Sequence, residues 1–213
     1  MSGIVLQHAW GDHAEILIQT NERHNKWAEK HNLGYHQHLG KVFDDPNYPG
    51  AWAKVPYITY WLNTPVDYLI WMDADTCVRD LNFNPLLAFD EDTDIAMIHS
   101  PHKEFGFNAG VMYIRNSANV RKFYRQVWER GPVKGHKLEY LADETRINVD
   151  LPASGLKVKK LDHRWNYFYT EQARADGVDP RFAEEECHVR AWHGTPAETV
   201  RRRVKEYIAK WPH

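Results

Sequence analysis

The chain predicts an α/β domain, a mostly parallel mixed sheet with helices on both faces. Three observations carry this. Short apolar runs of strand length recur along the sequence, separated in most cases by segments with apolar residues at helical spacing, the alternation that builds layered α/β domains. The first segments, strand, helix and strand, form a β-α-β unit at the N-terminus. The apolar run Val66-Asp67-Tyr68-Leu69-Ile70-Trp71-Met72 ends in Asp73-Ala74-Asp75. Carboxylates at the carboxyl end of a buried strand lie at the rim where open α/β sheets bind ligands.

Residues 3–9 read as the first strand. Residues 12–31 carry Ile16, Leu17, Trp27 and Ala28 among polar residues and read as a helix, with Asp12 as its N-cap. Residues 34–39 are a second, parallel strand, and the breaker-rich residues 44–50 are a loop. A helix over 51–63 leads into the strand 66–72. Strands over 94–99 and 107–114 follow, then a helix over 117–130 capped by Ser117 or Asn119 and ended by Gly131-Pro132. A helix over 138–149, strands over 157–161 and 188–192, and a terminal helix reaching Trp211 with Thr195 as N-cap complete the chain. The 213 residues are expected to form a single domain over 1–213 with a substantial core.

Composition narrows function. With 27 basic and 29 acidic residues the net charge is −2, which gives no bulk attraction to nucleic acid or anionic lipid. No apolar stretch approaches the roughly 20 residues of a membrane span, and the N-terminus enters a strand without a signal-peptide pattern, so a cytoplasmic location without a membrane span is expected. Cys77 and Cys187 are too few for a disulfide framework and read as packing residues in a reducing compartment. Nine Trp, eleven Tyr and thirteen His supply aromatic groups with polar tips, which suit sugar and base contacts as well as cores.

Four motifs carry chemistry. Asp73 and Asp75 place like charges side by side, and oxygen ligands select a hard divalent cation, Mn²⁺ or Mg²⁺, of the kind that holds a diphosphate. Asp90-Glu91-Asp92 and Asp92-Thr93-Asp94 share the spacing without a strand behind them and read as an acidic linker. In Asn108-Ala109-Gly110, small residues before a β-branched and aromatic run let a ligand approach the backbone, and Asn108 offers donor and acceptor to sugar hydroxyls. His193-Gly194, after the last strand, offers an imidazole to the same ion if that strand runs parallel to 66–72. Asp143-Glu144 offers carboxylates to a positive charge developing on an anomeric carbon, or to an acceptor hydroxyl. For phosphate, the available cations are Lys54 and the Arg201-Arg202-Arg203 run, with Lys54 preferred. His36 and His38 alternate on a strand but lack a third ligand for zinc.

In this order the motifs resemble the retaining glycosyltransferases of the GT-A fold. The likeness is nearest to the family 34 galactosyl and xylosyl transferases, through Asn25-Lys26-Trp27-Ala28-Glu29-Lys30-His31, Trp52-Ala53-Lys54-Val55-Pro56 and Trp71-Met72-Asp73, with the glycogenin-like family 8 as a second relative. It spans about residues 1 to 200. The resemblance implies that Asp73, Asp75 and His193 bind the metal, with Ala74 and Gly110 lining the donor site. It also implies that Lys54 stands near the donor, that Asn108 and Asp143 contact the sugar, and that the donor is a UDP-linked sugar transferred with retention to an acceptor hydroxyl on a glycan, protein, small molecule or modified nucleic acid. Glu144 departs from the usual Gln, and the lysine found after the histidine in glycogenin-like enzymes is missing. Two rivals remain at this level. A haloacid-dehalogenase-like phosphatase also uses Asp-x-Asp but needs Thr or Val where this chain has Cys77, and a nucleotide-sugar-binding module would lack turnover.

Overall fold

The computed structural model describes residues 2–43, 48–100, 106–135, 142–167, 186–193 and 195–211. Its main sheet has the strand order β2-β1-β3-β6-β5-β7. These strands are β1 (Gly3–Ala9), β2 (Leu33–Leu39), β3 (Tyr68–Met72), β5 (Ile95–Ile98), β6 (Val111–Arg115) and β7 (Val158–Leu161). β1, β2, β3, β5 and β7 run one way; β6 runs the other, antiparallel to both β3 and β5. The α/β class and the mostly parallel mixed sheet agree with the sequence reading.

Side-chain alternation along the strands gives the sheet two apolar faces. Ile4, Leu6, Leu69, Trp71, Met112 and Ile114 pack with α2 (Lys54–Leu62), α3 (Ala118–Arg130) and α4 (Ala142–Asp150). Val5, Ile70, Met72, Val111 and Tyr113 face Trp27 and Ala28 of α1 (Ala14–Lys30). α1 also packs through Ile16 on Val200, Val204 and Tyr207 of the terminal helix α5 (Ala197–Lys210).

Several local expectations change. Asp12 lies inside a short 3-10 turn, Gly11–His13, and α1 begins after His13 without a side-chain cap. Thr195 does not cap α5, which begins after Pro196. Ser117, in contrast, accepts the Val120 N–H as the N-cap of α3, and Gly131 ends that helix at φ 66°, a conformation glycine adopts without a Cβ penalty. The first part of the helix expected over 138–149, residues 44–47 of the breaker-rich loop, and Gly194 lie outside the described residues.

The sequence reading contains no strand at Thr76–Val78, here β4, because three residues after a turn leave no periodicity to read. β4 pairs antiparallel with β8 (Val189–Ala191) in a separate two-stranded sheet. β8 is therefore not a parallel neighbour of β3, and the route by which His193 was expected to reach the rim is replaced by another. Cys77 and Cys187 are both buried and unbridged.

Candidate active site

The site is assembled at the carboxyl end of β3. There Asp73 closes a turn: its carbonyl accepts the Thr76 N–H at 3.2 Å and the Thr76 hydroxyl at 2.6 Å, and β4 departs at once. Because β6 is antiparallel to β3, its beginning lies beside the end of β3, with Met72 opposite Val111. Topology thus brings Asn108-Ala109-Gly110 alongside the carboxylates, and Asp73 donates its N–H to the Gly110 carbonyl at 2.8 Å. β8 runs back along β4, so its exit returns to the same turn. Trp192 donates its N–H to the Asp75 carbonyl at 3.0 Å, and the next residue, His193, brings Nδ1 to 3.3 Å from Asp75 Oδ2.

Ligand atoms of Asp73, Asp75 and His193 lie within 4.8 Å of one another. Two carboxylates supply the hard oxygen ligands that suit Mn²⁺ or Mg²⁺, and the added imidazole favours the transition metal, Mn²⁺, of the two. Burial would raise the Asp75 carboxyl, but the His193 charge and hydrogen bond outweigh it and hold it below the usual range. Burial would lower the His193 ring, but Asp75 raises it above its ordinary value. Asp73 Oδ1 accepts Trp71 Nε1–H at 2.7 Å, from the same face of β3 two residues back, and Lys54 Nζ stands 3.0 Å from it. Both contacts fall on Oδ1, which leaves Oδ2 with lone pairs to give.

The side chain of Lys54, read from the sequence as a cation for phosphate, is 5% exposed, and its ammonium meets Asp143 Oδ2 at 2.6 Å, Asp73 Oδ1 at 3.0 Å and the Ala109 carbonyl at 2.8 Å. Three donors meet three partners, so the side chain braces the site and has no proton left over for a ligand. Burial would lower its pKa, yet the Asp143 and Asp73 charges raise it well above the usual lysine range. Asp143 is buried against this lysine. Arg201 pairs with Glu15 of α1 at 3.2 Å, and Arg202 and Arg203 are exposed.

The Asn108 side chain is held from three sides. Its Nδ2 donates to Glu144 Oε2 at 2.9 Å, while its Oδ1 accepts the Gly110 N–H at 2.9 Å and Asn166 Nδ2 at 2.7 Å. Glu144 Oε2 also accepts the Ala109 N–H at 2.8 Å. Asn166, almost fully buried in a 3-10 turn after β7, is a site residue that the sequence reading missed, and an isolated Asn in an irregular segment carries no signal. Gly110 is small for a reason other than ligand approach. A Cβ there would stand 2.4 Å from both Cε1 and Nε2 of His193, so the imidazole itself occupies the space. Ala74 is buried in a small apolar cluster with Ala9 and Leu17. The decoy carboxylates are surface groups, Asp90 with Lys159 and Asp92 with Lys157. Among the described residues, Asp73, Asp75 and His193 are the one cluster suited to a metal, and His36 and His38 form none.

Burial pushes the Glu144 carboxyl up to about 7, against the lowering effect of the Ala109 hydrogen bond, with Asp143 adding to the rise. A folded pKa above the unfolded one means that the native state holds the proton more tightly. The stability this confers is present below the unfolded value near 4.5 and is lost as pH rises towards 7. Glu144→Gln keeps an oxygen for both donors and removes the charge. In metal-free melting curves the variant is expected to match the parent near pH 4 and to exceed it near pH 8, by up to about 3 kcal/mol at 1.36 kcal/mol per pKa unit. Parallel pH profiles would contradict the buried-carboxyl assignment.

With this geometry in hand, comparison with solved structures is decisive for the fold. A glycosyltransferase involved in glycosylation of the major capsid of PBCV-1 superposes with a TM-score of 0.73 at 13% identity, covering 97% of this chain and 100% of that one. The chain has the GT-A fold. The galactosyltransferase LgtC, solved with donor and acceptor sugar analogs, gives a TM-score of 0.63 at 14% identity over 99% of this chain and 96% of that one. The glycosyltransferase GlyE of Streptococcus pneumoniae TIGR4 gives 0.61 at 16% identity over 96% of this chain and 59% of that one. No family model and no curated protein matches at the level of sequence. The GT-A architecture removes the haloacid-dehalogenase-like alternative. Among the described residues no helix is long and apolar enough to cross a membrane.

Proposed function

We propose that the chain is a metal-dependent glycosyltransferase that moves a sugar from a nucleoside diphosphate donor, UDP-linked, to an acceptor hydroxyl with retention of configuration. The observation that carries this is the convergence of Asp73, Asp75 and His193 within 4.8 Å at the strand rim of a GT-A fold. A divalent ion held there would neutralise the negative charge that develops on the leaving diphosphate. The protein's own part is positioning. Asp73 is aimed by Trp71 and Lys54, Asp75 and His193 are joined through β4 and β8, and Asn108 is fixed between Glu144 and Asn166. Asp143, paired with Lys54, and Glu144, bonded to Asn108, are the carboxyl groups that would favour positive charge on the anomeric carbon. The departing phosphate can take the acceptor proton, so no enzyme base is required.

The test is thermal stabilisation by UDP with and without Mn²⁺. Stabilisation is expected only with the ion, about 2.7 kcal/mol at a hundredfold excess over Kd. His193→Ala should raise the Mn²⁺ concentration needed while the metal-free melting temperature stays close to that of the parent. Equal shifts with and without chelator would sink the metal bridge. Mn²⁺-dependent hydrolysis of UDP-sugars separates an enzyme from a binding module, and the anomer first released, followed by NMR, reports retention.

A further inference from the structure

Beneath the carboxylate turn lies a buried polar network that the proposed chemistry does not use. Gln7 on β1 and His24 on α1 are both fully buried. The Val78 N–H donates to His24 Nε2 at 3.2 Å, so that nitrogen is an acceptor and the neutral ring carries its proton on Nδ1. Nδ1–H then donates to Gln7 Oε1 at 2.7 Å, and the Tyr35 hydroxyl donates to the same oxygen at 2.8 Å. With its oxygen fixed by two donors, the Gln7 amide nitrogen is directed at the Asp73 carbonyl, 3.4 Å away. That carbonyl also takes the Thr76 hydroxyl at 2.6 Å. Burial, with Arg23 beside it, pushes the His24 pKa down to about 3, which keeps the neutral tautomer at any working pH.

The arrangement holds one short segment, the turn and the strand that leaves it. Gln7 and Thr76 bind the carbonyl of Asp73 at the start of the turn, and His24 binds the amide of Val78 at the far end of β4. Buried amides and imidazoles are costly unless satisfied, and satisfied networks fix one conformation. Losing a partner that orients a metal ligand typically costs about 10- to 100-fold in affinity for the ion. We infer that Gln7, His24 and Thr76 are positioning residues for the metal ligands, acting through the backbone of the turn after Asp73 and of β4, which leaves it.

The inference rests on the metal-binding reading above, and the experiment separates the two. Mn²⁺ is titrated at saturating UDP and read as thermal stabilisation, so no turnover is needed. Gln7→Met, which keeps the shape and removes every hydrogen bond of the amide, is expected to raise the half-maximal Mn²⁺ concentration by about 10- to 100-fold. Thr76→Val keeps volume and β-branching, loses only the hydroxyl bond, and should shift the requirement the same way even if Gln7→Met folds poorly. Tyr35→Phe removes one bond to the same amide but leaves the link to Asp73, and should leave the Mn²⁺ requirement unchanged. Loss of stability in Gln7→Met and Thr76→Val with the parent's Mn²⁺ requirement would reduce the network to ordinary core satisfaction and overturn the inference. A parent that Mn²⁺ and UDP do not stabilise would overturn the metal reading itself, and this inference with it.

Discussion

Lys54→Met is expected to lower the melting temperature more than any other single change at the site and to abolish sugar transfer. The side chain is 5% exposed, and its ammonium is the shared counter-charge of Asp143 and Asp73 at 2.6 and 3.0 Å. Methionine fills the volume but leaves the buried Asp143 carboxylate and the partly exposed Asp73 carboxylate without their shared counter-charge. Removing one partner of a buried ion pair costs about 3–5 kcal/mol, a large part of a typical total of about 5–15 kcal/mol. At roughly 2–4 °C per kcal/mol for a domain of this size, the loss is about 6–20 °C. The deficit should narrow as pH falls, because burial already pushes the Asp73 carboxyl up and its protonation relieves the repulsion that methionine exposes. Asp143→Asn, which leaves Lys54 paired with Asp73, should cost less stability than Lys54→Met. A Lys54→Met protein that melts with the parent would show that the ammonium is not the brace described.

The second large effect is expected of Gly110→Ala, a change of one methyl group. The backbone there is not in the left-handed region, so strain in the main chain is not the mechanism. The added Cβ would lie 2.4 Å from the His193 ring and 2.9 Å from Asn108 Oδ1. Overpacking of this kind costs about 1–3 kcal/mol. The ring must turn from Asp75, and the Mn²⁺ requirement at saturating UDP should rise by about 10-fold or more, the scale of a disturbed ligand sphere. The double variant Gly110→Ala with His193→Ala removes the clash and should recover stability relative to Gly110→Ala alone, a non-additivity expected only of groups in contact. If Gly110→Ala binds Mn²⁺ like the parent, the imidazole does not occupy that space in solution.

Part of the site was legible before any fold was known, because its signals are local. The run ending at Met72 has the length and composition of a buried strand, and the two acidic residues directly after it need only that strand to be placed at a sheet end. Ser117 and Gly131 announced the ends of α3 by the same short-range logic of capping and positive φ. Asp12 and Thr195 have cap chemistry too, but there neighbouring residues took over: a 3-10 turn absorbs Asp12, and Pro196 sets the start of α5. The ion pairs of Lys54 were not legible for a different reason. A lysine beside a carboxylate site reads as a phosphate ligand, and nothing in the sequence says that Asp143 will be buried against it.

By itself the sequence determined the α/β class, the order of most elements, the carboxylate pair at a strand end and the candidate set that included His193, all of them properties of residues within one strand or one helix of each other. Only the tertiary structure decided which of those residues meet. His193 reaches Asp75 across 118 positions because β4 and β8 pair outside the main sheet. Asn108 reaches the rim because β6 alone runs backwards, and Gln7 and His24 lie under the turn because β1 and α1 pack beneath it. Periodicity and capping depend on a few neighbouring dihedrals and are written along the chain, whereas strand order and the burial of one charge against another are set by the global packing of distant segments.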